Sequence, residues 1–537
     1  MRQKTVGIIG GMGPEATVGL MQRIFQATPT HEDQLNLRRL NMKIMATICA
    51  VFLLLLLMAE SSLADEALVI SQNTEASTLH PLAMRMAPEQ SIASNIYDSL
   101  VDRDSSGKLV PGLATSWELL DENKWRFHLR KGVKWQNGGA FTADDVVFTF
   151  EDIGRTKINR YTFIMEKIKK VQKVDDYTVD IITTSPYAVL ADAFYQTMFI
   201  MSKDYTTGKS DAYLAEHPMG TGPYILKEWV RDSHMHLEAF DGCWKGKAPI
   251  KKITFQPITN DATRLAGLTT GKIHLTTDVP VQYVDIARKA PNVEAISREG
   301  MRVIFFTMKL DDKDSPTGNI NVRKALMMGI NQKEILEKLL LGRSTIAAQL
   351  PAPFFRGFSK NIVRPEYNPE RARELLKEAG YANGFDLKIN VPNDRYIMDN
   401  EIGVAVAQQL SKIGVRVNLV AQPASIHLKQ RTEKTHTFSL SGWGEATFDS
   451  ARILETILFQ DSQLKDAAFK EKLEAADRIM DLQLRHEKLA ELNQYVADMT
   501  YVMPLHYEAD IYGVNKKVKG FVPNVKKTLN LNKLSFQ

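Results

Sequence analysis

The chain of 537 residues holds only two cysteines, Cys49 and Cys243. Cys49 falls inside an apolar run that reads as a cleaved leader, so the mature chain keeps one thiol and cannot close an internal disulfide. Stability must come from packing, and Cys243, beside Trp244, reads as a small buried hydrophobe. An excess of either charge is lacking too. The 68 Lys and Arg against 63 Asp and Glu leave a net charge of +5, spread along the chain. No basic block argues for nucleic acid. HExxH pairs, Cys–His sets and the GxSxG elbow do not occur, which removes the common patterns of zinc and serine hydrolases. The 11 histidines are scattered. His234 and His236 alternate on an expected strand, a two-ligand geometry at best, while His427 and His506 read as hydrogen-bonded structural residues. Nothing calls for a cofactor, a resident metal or a catalytic set, and no internal repeat or long low-complexity tract appears.

What is present begins with GIIGGMGPEAT, Gly7 to Thr17, a glycine turn between an apolar strand and a helix start. Such a turn can offer backbone N–H groups to an anion. It lacks the Lys-Ser/Thr of a P-loop and the βαβ unit of a dinucleotide fingerprint. With Ala27-Thr28-Pro29 and Asp33-Gln34, the stretch Lys4 to Gln34 resembles the start of the aspartate/glutamate racemases, over less than a tenth of the chain. That resemblance implies a cofactor-independent enzyme with two cysteines as acid and base. Neither Cys49 nor Cys243 sits in such surroundings, so an amino-acid racemase-related enzyme is expected to be inactive here.

Met42-Lys43 next introduces the uncharged apolar run Ile44 to Met58, followed by AESSLA with small residues at Ser62 and Ala64. This is the plan of a secretory signal peptide over 42–64, cleaved after Ala64, and the run falls short of the roughly 20 apolar residues of a spanning helix. Residues 1–41 read as a racemase-like remnant ahead of the true start.

In the mature chain ALVIS, 67–71, reads as a first strand and Gln90 to Leu100 as a helix. Trp125 to Arg130 alternates like a strand, Asn137-Gly138-Gly139 is a turn, and Thr142 with Asp144 and Asp145 caps a helix. The whole segment WRFHLRKGVKWQNGGAFTADDVVFTFE, Trp125 to Glu151, resembles the hallmark of the family 5 extracellular solute-binding proteins. These are the dipeptide- and oligopeptide-binding components of bacterial ABC importers. GTGPY at 220–224, NVRKALMMGIN at 321–331, YNPERARELLKEAGY at 367–381 and YVMPLHYEADIYGVNKKVKGFVP at 501–523 continue the resemblance. Each also has a local reading. In the second, Val322, Ala325, Leu326, Gly329 and Ile330 form a helix core face, and in the third Asn368 caps a helix that Gly380 closes.

The resemblance implies an α/β fold of the periplasmic binding protein-like II type, two α/β lobes with a hinge and an extra small subdomain in the first lobe. On it, 65–303 form lobe 1 with the subdomain at about 100–215, 304–502 form lobe 2, and 503–537 return to lobe 1. It further implies a non-catalytic periplasmic receptor, a monomer without nucleic acid. Its partners are a small-molecule or short-peptide solute and an inner-membrane ABC permease with its ATPase. Arg395 matches an arginine that pairs with the ligand carboxylate in dipeptide-binding relatives, with Tyr396 beside it, and Trp443 matches a cleft tryptophan. Three residues after Trp443, where those relatives hold the ligand amine with an aspartate, this chain has Ala446. Glu445 and Asp449 are the carboxylates near enough to serve instead. The substitution argues for an anionic or polyhydroxylated solute over an ordinary peptide N-terminus. Between Phe459 and Phe469 the chain is also shorter than the family usually shows, which removes part of the expected cleft rim.

Overall fold

The structure, a computed structural model, describes residues 67–537 except Arg85, Asp311, Lys313, Asp314, Glu445 and Ala446. The racemase-like start and the leader, 1–64, lie outside the described residues. Among the described residues, no helix is long and apolar enough to cross a membrane.

The first strand, Leu68–Gln72, opens on the apolar run Leu68-Val69-Ile70 and is buried at all but Val69, because it lies between two parallel neighbours, Lys252–Pro257 and Leu275–Thr276, inside a covered sheet. Among the described residues that sheet has 11 strands, ten along one path and Thr345–Ile346 set beside it on Val502–Asn515. It runs from Arg416–Gln422 through Asp386–Pro392 and Phe438–Gly444 to the pair Val293–Met308 and Val502–Asn515. It then continues through Leu275–Thr276, Leu68–Gln72, Lys252–Pro257 and His234–Ala239 to Tyr224–Val230. The two long strands are antiparallel, and their register slips between Glu299, opposite Ala509, and Val303, opposite Tyr507. On one side of the slip a core gathers Leu68, Phe255, Leu275, Tyr512 and Leu531; on the other a core gathers Phe306, Leu326, Leu376, Ile389 and Leu440. Two α/β lobes thus share a sheet and meet where two crossing strands are irregular, which is where bending is cheapest. A separate four-stranded antiparallel sheet, built from Ala114–Asp121, Lys124–Leu129, Thr178–Thr183 and Ile168–Asp175, has its own core around Phe127, Trp135, Phe150 and Phe194.

The hallmark residues lock local structure. Asp145 accepts from Trp135 Nε1 at 3.3 Å, from the Thr142 N–H at 2.9 Å and, with its other oxygen, from the Lys203 N–H at 2.9 Å. Gln136 joins this segment to GTGPY: its Oε1 accepts from the Gly220 N–H at 3.1 Å and its Nε2 donates to the Tyr224 carbonyl at 2.7 Å. A Cβ at Gly220 would run into the Ile96 carbonyl oxygen, so this glycine is a requirement of close backbone approach. Gly220→Ala is expected to cost about 2 kcal/mol, read as a lower urea midpoint at unchanged m-value.

The same contact corrects one expectation. The helix foreseen over 90–100 spans Ala87–Ala93, because the carbonyls of Asn95 and Ile96 accept from the Tyr224 and Gly222 N–H groups, each at 2.9 Å, and cannot serve a further helical turn. The helix Pro369–Glu378 is capped by Asn368, which accepts from the Arg371 N–H at 2.9 Å, and buries Ala372, Leu375 and Leu376. Val322, Ala325, Leu326, Gly329 and Ile330 are all buried, as their spacing implied. Cys243 is buried as well, and burial pushes its thiol up to about 11.

Candidate functional site

Strand Phe438–Gly444 emerges from the second lobe, and Trp443 near its end is half-buried. Its ring lines a cavity of about 600 Å³, a size suited to a small organic ligand. The opposite wall comes from the region of the four-stranded sheet, with Phe163, Lys167 and Tyr187, and the floor includes Arg452 and Glu474. The Arg452 guanidinium lies 3.7 Å from the Phe163 ring centroid and 5.1 Å from that of Trp443, so aromatic groups of both walls share one cation.

Arg395 and Tyr396 occupy the loop between strand Asp386–Pro392 and helix Asp399–Ser411. Asp399 accepts from the backbone N–H groups of Arg395 and Tyr396 at 3.0 and 2.9 Å, and Asp394 accepts from the Ala424 N–H at 2.7 Å. Both acids adjacent to Arg395 are therefore engaged with backbone. Its guanidinium is exposed, 5.7 Å from the Tyr396 ring centroid, with no ion pair among the described residues. Tyr396 itself is buried. The Gly442 N–H donates to its hydroxyl at 2.9 Å, and a Cβ at Gly442 would strike its ring. Successive strand residues face opposite sides, so Tyr396 and Trp443 lie on opposite faces of this strand, and the structure does not bring them together. Tyr396 packs the lobe core beside Arg395.

Asp449 needs a correction. It is 1% exposed. It caps helix Ser450–Leu454 by accepting from the Ala451 N–H at 3.0 Å, and it receives both arms of Arg485, Nε at 2.7 Å and Nη2 at 2.9 Å. Three strong donors, two of them from a cation, already engage both oxygens, which makes this buried carboxylate a poor partner for a ligand amine. Arg485, fully buried, also donates to Asp477 at 2.8 Å, and Asp477 pairs with Lys167 across the cavity at 2.7 Å. Sequence reasoning missed this chain of charges. Its only trace was an arginine on the apolar side of the helix Leu482–Asp498. Glu445, the other nominated carboxylate, and Ala446 lie outside the described residues.

At the strand crossing the buried carboxylates Glu508 and Asp510 gather partly exposed partners. Arg302 pairs with Glu508 at 3.2 Å, and Lys527 contacts Asp278 and sits 3.6 Å from Asp510. Burial, with Glu508 and Asp278 nearby, pushes the Asp510 carboxyl up to about 6 despite Lys527. Glu508 also accepts from the Ile397 N–H at 3.3 Å, tying the Arg395 loop to the crossing strand.

Two α/β lobes on a shared irregular crossing, with an aromatic and charged cavity beside it, have the architecture of a two-lobed binding protein. Residues 108–464 match the family described as bacterial extracellular solute-binding proteins, family 5 middle, and the chain belongs to that family. It is 28% identical over 468 residues to the dipeptide-binding protein of Escherichia coli K12, covering 80% of this chain and 86% of that one. It is 26% identical over 471 residues to heme-binding protein A of Haemophilus influenzae, covering 80% and 85%. Among solved structures, the ABC transporter-associated periplasmic binding protein DppA from Helicobacter pylori in complex with peptide STSA superposes with a TM-score of 0.75. Its identity to this chain is 26%, over 88% of this chain and 98% of that one. HbpA2 from Haemophilus parasuis gives a TM-score of 0.78 and 25% identity, over 88% of this chain and all of that one. The fold is thus the two-lobed periplasmic binding protein type, and the chain is a solute-binding component of an ABC importer. These relatives are binding proteins, and the racemase alternative finds no support in them.

Proposed function

We propose that this protein captures a small solute carrying an acidic group between its lobes, holding that group on Arg395 and covering the remainder with Trp443. Arg395 carries the proposal: an exposed guanidinium with no ion pair among the described residues, on a loop whose two nearby carboxylates are bound to backbone. A guanidinium keeps its charge at any physiological pH and offers paired donors to a carboxylate. Asp449 is occupied by Arg485, and Ala446 replaces the amine-binding aspartate that the family resemblance implies. The solute is then an anion without a free α-amine in preference to a plain dipeptide. The receptor is periplasmic, monomeric and non-catalytic, and lobe closure around the solute creates the form that an inner-membrane permease with its ATPase recognises.

The test is native purification, mass spectrometry of any retained small molecule, and thermal melting with candidate solutes. A solute at 100 times its dissociation constant stabilises the protein by about 2.7 kcal/mol. Arg395→Ala is expected to abolish that shift while the unliganded melting temperature stays unchanged. A shift of the same size in Arg395→Ala, or one produced by free-amine dipeptides and not by amine-free anions, overturns the proposal.

A further inference from the structure

The hairpin Tyr224–Val230 and His234–Ala239 closes the sheet of the first lobe at its far edge, away from the strand crossing. His234 and His236 share one face of its second strand, with ring centroids 4.2 Å apart. The register of the hairpin slips by one residue: Leu226 stands opposite Leu237, yet Glu228 stands opposite His236. Without that bulge Lys227 would face His236. With it, the Glu228 carboxylate is carried onto the histidine face, 3.3 Å from His234 Nε2 and 3.7 Å from His236 Nε2. One donor atom from each of the three residues lies within 4.8 Å of the others.

We infer that this trio is a binding site for a divalent first-row transition ion of the zinc type, independent of the solute cleft. Two zinc-to-ligand bonds of about 2.1 Å meeting at a tetrahedral angle hold their donor atoms about 3.4 Å apart, close to the separations already present. The ring nitrogens that point away from the carboxylate are engaged. His236 Nδ1 is 3.0 Å from the Thr254 hydroxyl on the next strand, and His234 Nδ1 is 2.8 Å from the Ser233 hydroxyl. In the tautomer whose Nδ1–H donates to these hydroxyls, each Nε2 lone pair is left for a metal, the outer-shell arrangement usual for metal-binding histidines. Two imidazoles and a carboxylate select zinc, nickel or copper over calcium or magnesium, which take all-oxygen shells. The side chains are 24%, 43% and 55% exposed for His234, His236 and Glu228, so an ion enters from solvent and keeps a fourth position for water.

The experiment is equilibrium dialysis of the purified protein, free of any polyhistidine tag, against micromolar Zn²⁺ with bound metal counted by mass spectrometry. The expected result is one zinc per chain, lost in His234→Ala/His236→Ala and weakened roughly tenfold or more in Glu228→Gln. Glu228→Gln preserves the size and hairpin pairing of the residue, so its metal-free melting temperature should match the parent, and a zinc-dependent rise in melting temperature should fade with it. No stoichiometric zinc at micromolar concentration, or uptake by all variants equal to the parent's, overturns the site.

Discussion

Arg485→Met is expected to lower the unfolding free energy by about 3–5 kcal/mol, read from denaturant titration. Methionine keeps much of the side-chain volume, so the loss reports charge rather than a cavity. Arg485 is fully buried, Asp449 is 1% exposed, and the two meet through a double hydrogen bond of 2.7 and 2.9 Å. Removing the guanidinium leaves the buried Asp449 carboxylate without its counter-charge, and also frees the Ala476 and Asp477 carbonyls that Arg485 bonds at 3.0 and 2.6 Å. Adding Asp449→Asn to the arginine variant should recover part of the loss, because a neutral amide still caps helix Ser450–Leu454 and no longer needs a counter-charge. Lys167→Ala removes a partner of Asp477 that is one-third exposed and should cost less than about 1 kcal/mol. Should Arg485→Met cost under about 1 kcal/mol, Asp449 would be a free cleft carboxylate after all.

The contrast between these residues shows what was legible before the fold was known. Motifs made of local chemistry were readable: the Thr142 and Asn368 caps and the core face from Val322 to Ile330 appear where spacing put them. Features set by partners distant in sequence were not. Asp449 reads as a short acidic side chain beside a cleft tryptophan, and only folding brings Arg485, 36 positions on, to saturate it. Tyr396 reads as a neighbour of Arg395 in the site, whereas the alternation of Gly442 and Trp443 sends it into the core. His234 and His236 gave two ligands on a strand, and the third, Glu228, is supplied by a hairpin bulge that no periodicity reveals. The shortening of helix Ala87–Ala93 depends on the arrival of GTGPY more than a hundred residues later.

Acidification from pH 7 to pH 4 is expected to remove about 3 kcal/mol of stability through His506, the residue on which the sign can be tested. His506 is fully buried on the crossing strand Val502–Asn515, and neither ring nitrogen has a hydrogen-bond partner among the described residues. This departs from the hydrogen-bonded histidine expected from sequence. Burial pushes it down to about 4, against a partial pull upward by Glu508. His427, whose Nε2 lies 2.9 Å from the Leu440 carbonyl oxygen, is also pushed down to about 4, by burial and then by His436. A histidine depressed in the folded state is neutral there between about pH 6.5 and 4, while the unfolded chain is protonated. The unfolded state therefore gains stability as pH falls, by about 3 kcal/mol for each histidine. Asp510 works in the opposite direction. Raised to about 6, it takes up its proton in the folded state before the unfolded one does, and returns about 3 kcal/mol between pH 6 and 4. Among these three groups the net change on acidification is a loss of about one histidine's worth. His506→Leu should reduce the loss between pH 7 and 4 by about 3 kcal/mol, and should stabilise the protein slightly at pH 7 by removing a buried polar ring that has no partner among the described residues. Asp510→Asn should act in reverse and deepen the acid loss by about 3 kcal/mol. If His506→Leu keeps the parent's slope, the imidazole is already protonated in the folded protein at neutral pH, and the charge balance at the strand crossing is held by Glu508 paired to it instead of to Arg302.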